Sequence, residues 1–233
     1  MLRNIHLFAD WDRLVQSVAC DKHVGMQISP IEEILVDFKA GRFVILVDDK
    51  NRENEGDLML AAQFAESTHI NFLMKEARGL ICLAMSSEQV KRLQLPMLKS
   101  ELHASNCNHA AFTFSIEASQ GIKTGISARE RAHTIQTAIN PQAQVSDIVC
   151  PGHVFPLRAV DGGVLERAGH TEASVDLARL SGLNPAAVLC EVLDDEGSAA
   201  RTDYLNAFSE KYGIRIGTVQ DLISYRKATE SKL

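Results

Sequence analysis

Five carboxylates, one lysine and one arginine fall within ten residues, Asp48-Asp49-Lys50-Asn51-Arg52-Glu53-Asn54-Glu55-Gly56-Asp57. They directly follow an apolar run, Phe43-Val44-Ile45-Leu46-Val47, which reads as a buried strand. A strand end that delivers acidic side chains into a loop can hold a divalent cation or a sugar phosphate. The alternative is a solvated acidic turn, since charged loops are common. Gly56 is expected to let the backbone turn.

Three further stretches carry groups that could act with this loop. Pro151-Gly152-His153 presents a histidine, the side chain suited to acid/base work near neutrality, from a constrained path. Its plain alternative is a structural or exposed histidine. Arg167-Ala168-Gly169-His170-Thr171-Glu172 precedes a helix whose N-terminus offers N–H groups to a phosphate. There Arg167 adds a planar cation, Thr171 a hydroxyl and His170 a possible metal ligand. Thr171 would also serve as the helix cap, with Glu172 favourable in the first turn. Glu191 ends the apolar run Ala187-Val188-Leu189-Cys190, where partial burial would suit a carboxylate to moving protons. An edge carboxylate facing water is the competing reading.

These groups need a scaffold. A helix is expected from Ser29-Pro30-Ile31-Glu32, with Ser29 as cap, Glu32 completing a capping box and Gly41 as stop. Strands follow at 43–47, 58–62, 80–85, 112–116, 187–192 and 214–216, with a short strand inside the constrained segment 151–157. Helices are expected at 67–77 (ended by Gly79), 88–93, 128–139, 171–180, 204–212 and 218–227, the last capped by Thr218. Residues 99–111 read as a polar loop. Strands and helices alternate without linker or repeat, which predicts an α+β fold, a single three-layer α/β/α domain with a mixed β-sheet. Residues 29–233 would form that domain, and residues 1–28 a poorly patterned extension in which Leu7, Phe8, Trp11, Leu14 and Val15 could make a short amphipathic helix.

The 233 residues are 45% hydrophobic and 23% charged, enough to bury a substantial core. Net charge is −6, and no basic run or aromatic–basic interleaving suggests a nucleic-acid face. No apolar run approaches the roughly 18 residues that span a membrane, and the first residues lack a secretory signal. Cys20, Cys82, Cys107, Cys150 and Cys190 are scattered and odd in number, which reads as reduced thiols in a cytoplasmic protein. No Gly-x-Gly-x-x-Gly or Walker pattern follows the first strand.

Four motifs in order resemble the signatures of 3,4-dihydroxy-2-butanone 4-phosphate synthases. They are Asp49-x-x-Arg52-Glu53-Asn54-Glu55-Gly56-Asp57, Thr124-Gly125-Ile126-Ser127-Ala128, Pro151-Gly152-His153-Val154-Phe155-Pro156-Leu157 and Gly169-His170-Thr171-Glu172-Ala173. Cys190-Glu191 sits where the family has Cys-Glu, and the resemblance spans residues 29–227. It implies a lyase of riboflavin biosynthesis that converts D-ribulose 5-phosphate to 3,4-dihydroxy-2-butanone 4-phosphate and formate with Mg2+ or Mn2+. It implies Glu53 and His170 as metal ligands. It places substrate against Arg52, Glu53, Asp57, Thr124, Arg167, Ala168, Gly169, His170, Thr171 and Glu191. His153 and Glu191 would be essential for catalysis, and the several proton transfers make Asp57 and Glu55 further candidates. Asp48, Lys50 and Asn51 are set aside as non-participants. The resemblance also implies a homodimer with active sites near the subunit boundary, in a stand-alone form without the fused GTP cyclohydrolase.

Five positions depart from the family pattern. Lys50 and Asn51 stand where acidic residues are usual, Glu130 where Asp is usual, Cys150 where Arg is usual and Ala110 where Thr is usual. Two other readings follow: a catalytically weak paralogue with a regulatory or assembly role, and a Mg2+-dependent enzyme that enolises another sugar phosphate.

Overall fold

The computed structural model describes residues 25–98 and 110–230. The amphipathic segment expected before residue 25, most of the polar loop 99–111, Cys20 and Cys107 lie outside the described residues. Helix α1 is Ile31–Lys39, strand β1 Val44–Val47 and strand β2 Gly56–Ala61. Helix α2, Ser67–Phe72, runs on into a wider π turn, Leu73–Ala77. Next come β3 Cys82–Met85, α3 Ser87–Arg92, β4 Ile116–Ala118, α4 Ala128–Ile139 and β5 Ile148–Arg158. The chain continues with α5 His170–Leu180, β6 Ala186–Glu191, α6 Thr202–Tyr212, β7 Arg215–Thr218 and α7 Val219–Glu230.

The seven strands form one mixed sheet in the order β4-β5-β3-β6-β2-β1-β7. β3–β5 and β1–β7 are parallel, and the other neighbours are antiparallel. Side-chain alternation along the strands divides the core in two. Ile45, Val47, Leu58 and Leu60 face one way and pack on α2, α3, α4 and α6. Val44, Leu46, Met59 and Ala61 face the other way, against α1, α5 and α7. The three layers and mixed sheet thus follow the pattern of apolar runs, which bury about 1.5–3 kcal/mol per large side chain.

Helix α5 is the central element of its layer. Every residue from His170 to Ala178 is buried, four of them polar or charged besides His170. Two carboxylates one turn apart account for this. Glu172 pairs with Arg167 and accepts from the Val160 N–H at 3.2 Å. Asp176 accepts from the Val164 N–H at 2.8 Å and from Arg226 Nη1 at 2.7 Å, while Arg226 also donates to the Gly162 carbonyl. The loop between β5 and α5 is therefore fastened to α5 and α7 before it delivers His170.

Several local expectations are corrected. Ser29 does not cap α1; its N–H donates to the Ile216 carbonyl at 2.7 Å, extended along β7, and Pro30 takes the cap position without a side-chain bond. Gly56 does not make the turn. Asn54 has the left-handed φ of 53°, and Gly56 opens β2 where a Cβ would press on Leu205 at 2.8 Å. Arg78, not Gly79, takes the left-handed cap after Ala77. Phe112 and Thr113 make only isolated bridges, and the strand begins at Ile116. The constrained segment at Pro151 lies within the long strand β5, distorted by a bulge. Gly169, not Thr171, is the N-cap of α5.

Candidate active site

Strands β2 and β6 run antiparallel with Asp57 opposite Glu191. Both side chains share the face of Met59 and Leu189, toward α5. The acidic loop rises from the same end of the sheet, and α5 points its first residue at it. Arg52, Glu53, Glu55, Asp57, Arg167, His170, Thr171 and Glu191 line one cavity of about 360 Å3, with an apolar floor that includes Leu80, Cys82, Phe112 and Leu189. That size suits a small metabolite.

Asp48 shapes the acidic loop. Its carboxylate is buried and accepts from Arg52 Nη1 at 2.8 Å, the Glu53 N–H at 3.0 Å and the Glu55 N–H at 2.8 Å. Burial alone would push its carboxyl up, but the donors from Glu55, Arg52 and Glu53 outweigh that and hold it below its usual range. Arg52 also reaches Glu53 Oε2 at 2.5 Å. From outside, Arg201 donates to the carbonyls of Glu53 and Asn54. Sequence reasoning set Asp48 aside and did not single out Arg201. For Asp48 the signal was its place at the end of a buried strand; Arg201 had none, because its partners lie almost 150 residues away.

Glu191 accepts from the Leu80 N–H at 2.8 Å. A Cβ on Gly79 would overlap the Glu191 backbone oxygen and stand 2.6 Å from its Oε2. Gly79 has an ordinary φ, so glycine is needed there for room. Asp57 is 4% exposed, and its carboxyl is raised well above the usual range by burial and by Glu191, Glu55, Glu53 and Asp48. Glu55 is raised for like reasons, burial first and then Glu53 and Glu191. Burial also pushes the Cys82 thiol up, so it lines the floor as a neutral group.

The fit to a divalent cation rests on His170. Burial lowers its pKa, which keeps the imidazole in the neutral form that ligates metals. Its Nδ1 lies 3.7 Å from Asp57 Oδ1 and 4.0 Å from Glu53 Oε2, too far for hydrogen bonds. His170 Nε2 and Asp57 Oδ1 are buried with no hydrogen-bond partner among the described residues. Ligands at about 2.1 Å from a magnesium ion stand roughly 3–4.2 Å from one another, so these gaps are of the right size. One ligand atom each from Asp48, Glu53 and His170 also lie within 4.8 Å of one another. Asp48 has most of its lone pairs committed to the loop, so Glu53 and His170 are the freer pair.

Other site candidates lie differently. Ala168 and Asn51 line an adjoining cleft with Asp49, Arg52, Glu166 and Arg167. Gly169 leaves room for Arg167 to reach Glu172; a Cβ would overlap the guanidinium. Ala110 lines the main cavity, so the departure from Thr falls inside it. Glu130 is not in that cavity. It binds the N–H of Lys123 and the hydroxyl groups of Thr124 and Ser127, which ties Thr124 to the start of α4. His153 lies on β5, two strands from β6, so its backbone is roughly 10 Å from that of Glu191. It does not line the cavity, and its Nδ1 is hydrogen bonded to Glu117.

A family model described as 3,4-dihydroxy-2-butanone 4-phosphate synthase matches residues 32–225. The chain belongs to this family. The 3,4-dihydroxy-2-butanone 4-phosphate synthase of Neisseria meningitidis serogroup B is 57% identical over 206 residues, covering 88% of this chain and 56% of that protein. A two-domain 3,4-dihydroxy-2-butanone 4-phosphate synthase from A. baumannii, RibBX, matches with a TM-score of 0.81 at 52% identity, over 85% of this chain and 58% of that one. A 3,4-dihydroxy-2-butanone 4-phosphate synthase solved in complex with two magnesium ions matches at 0.80 and 39% identity, over 88% of this chain and 100% of that one. The chain spans about half the length of the curated relatives it matches. Among the described residues no helix is long and apolar enough to cross a membrane.

Proposed function

We propose that this chain is a lyase that converts D-ribulose 5-phosphate to 3,4-dihydroxy-2-butanone 4-phosphate and formate, using Mg2+ (or Mn2+), in riboflavin biosynthesis. The observation that carries the reading is the cavity in which Glu53 and His170 flank a cation-sized gap beside the cross-strand pair Asp57 and Glu191. A magnesium ion held there would stabilise negative charge on adjacent substrate oxygens as a Lewis acid.

The protein groups divide the remaining work. Arg52, Arg167, Thr171 and the uncapped N-terminus of α5 supply donors for the phosphate and hydroxyl groups. Glu191, held by the Leu80 N–H, takes and returns protons at the sugar carbons and hydroxyls, with Asp57 and Glu55 within the same cavity. The apolar floor keeps water from the reacting carbons.

His153 and Thr124 belong to the reading through a second copy of the chain. Around them the β4–β5 edge exposes Phe114, Ile126 and Val149, each more than 40% exposed. An apolar edge of this kind suits a homodimer contact. In that homodimer one protomer's His153 serves the other's cavity.

Proton NMR of the purified protein with ribulose 5-phosphate tests the activity. A formate singlet should appear with Mg2+ and vanish with EDTA, and H153A and E191A should each abolish it. A folded wild-type protein that releases no formate would overturn the proposal. Loss of ribulose 5-phosphate without formate would point to a different enolising reaction.

A further inference from the structure

Outside the cavity, the strongest cluster lies at the β4–β5 edge. Ile116 pairs with Val154, yet its neighbour Glu117 pairs with Val149. Residues 150–153 therefore bulge out of the ladder, and the bulge carries His153. The Gly152 N–H donates to Ser115 Oγ at 3.1 Å, and a Cβ on Gly152 would overlap the Ile116 backbone. This contact presses the bulge onto β4 and brings His153 Nδ1 to Glu117 Oε1. From the other side comes Gly125, with a left-handed φ of 80°. A Cβ there would overlap the Glu117 carboxylate and stand 2.7 Å from His153 Nδ1. Glu117 is thus enclosed at 16% side-chain exposure, while His153 remains 43% exposed. Two glycines from separate loops leave space for one carboxylate–imidazole contact.

We propose that Glu117 is the positioning residue for His153, fixing Nδ1–H toward itself and leaving Nε2 as the nitrogen that exchanges protons with substrate. A carboxylate only accepts, so the nitrogen facing it must carry the hydrogen. In neutral imidazole the other nitrogen then holds the lone pair. A proton taken from substrate goes to Nε2, and the imidazolium so formed keeps its Nδ1–H on Glu117. Returning that proton restores the same tautomer, so the ring need not flip between steps. This inference rests on the reading of His153 as a proton carrier.

The test reads the tautomer directly, by long-range proton–nitrogen correlation NMR of the 15N-labelled protein at pH 8.5. His153 is assigned by the signals lost in H153A. The wild type should show a protonated Nδ1 and a bare Nε2. E117Q should lose that pattern in favour of Nε2–H. Its formate release should fall about 100-fold in kcat with KM changed less than about threefold, in the range expected for impaired acid/base catalysis. E117D should restore part of both, and it stands in if E117Q fails to fold. A wild-type His153 protonated on Nε2, or a pattern indifferent to residue 117, overturns the proposal. Formate release surviving in H153A would instead overturn the proton role of His153, whatever the tautomer.

Discussion

Asp57 sits buried with four other carboxylates around it, and its Oδ1 has no hydrogen-bond partner among the described residues. An unpaired buried carboxylate costs several kcal/mol, more than one large apolar side chain recovers. In the metal-free protein Asp57 therefore opposes folding. Its carboxyl is raised in the fold, so its favourable contribution is present at low pH and is lost as pH rises through the folded value. Asp57→Asn puts a neutral group of the same shape in place of the carboxyl. In EDTA at pH 8 the variant should melt at least about 2 °C higher than wild type, the shift that about 1 kcal/mol makes in a chain of this size. Formate release should be abolished. A lower melting temperature in EDTA would show that Asp57 is satisfied by a partner the cavity does not display.

Among the elements, the turn 123–127 and α4 are held together by one side chain. Glu130 is buried, at 5% exposed. The Lys123 N–H and the Ser127 hydroxyl hold its carboxyl down to about 2, helped by the Thr124 N–H. A depressed carboxyl contributes stability that is complete above its ordinary value of about 4.3 and is lost as pH falls toward 2. Glu130→Gln should therefore melt below wild type at pH 7, with the gap closing between pH 5 and pH 2. Thermal melts across that range check it; a constant gap would remove the charge from the account. Glu130 thus serves a turn that carries Thr124 and Gly125, and it does not line the cavity.

On the scale of the molecule, Glu191 and His153 belong to different parts of one sheet, and a homodimer would join them. If each site takes Glu191 from one protomer and His153 from the other, two dead variants can complement. H153A and E191A mixed after gentle dissociation should recover about one quarter of wild-type formate release, since half the dimers are mixed and half their sites are intact. Sites complete within one protomer would leave the mixture inactive. Val149, exposed on β5 beside the edge strand β4, lies on the surface that such pairing would cover.

The chain's own order of residues determined much. Apolar runs of strand length separated by amphipathic helices lead to a three-layer mixed sheet, because each face must be buried. The motifs around Arg52–Asp57 and Gly169–Ala173 identify the family and most of the cavity, since loop and helix terminus are each local in sequence. What remained illegible depends on contacts between distant segments. The end of a buried strand hints at burial for Asp48, but nothing near Gly79 announces that Glu191 occupies its Cβ space. The acidic loop becomes half of a candidate metal site only because β2, β6 and α5 meet at one end of the sheet, with His170 more than a hundred residues from Glu53. Glu117 escaped notice because an isolated Glu in a short strand has no pattern of its own. Only the bulge in β5 turns His153 onto it, and a bulge is decided by packing across strands.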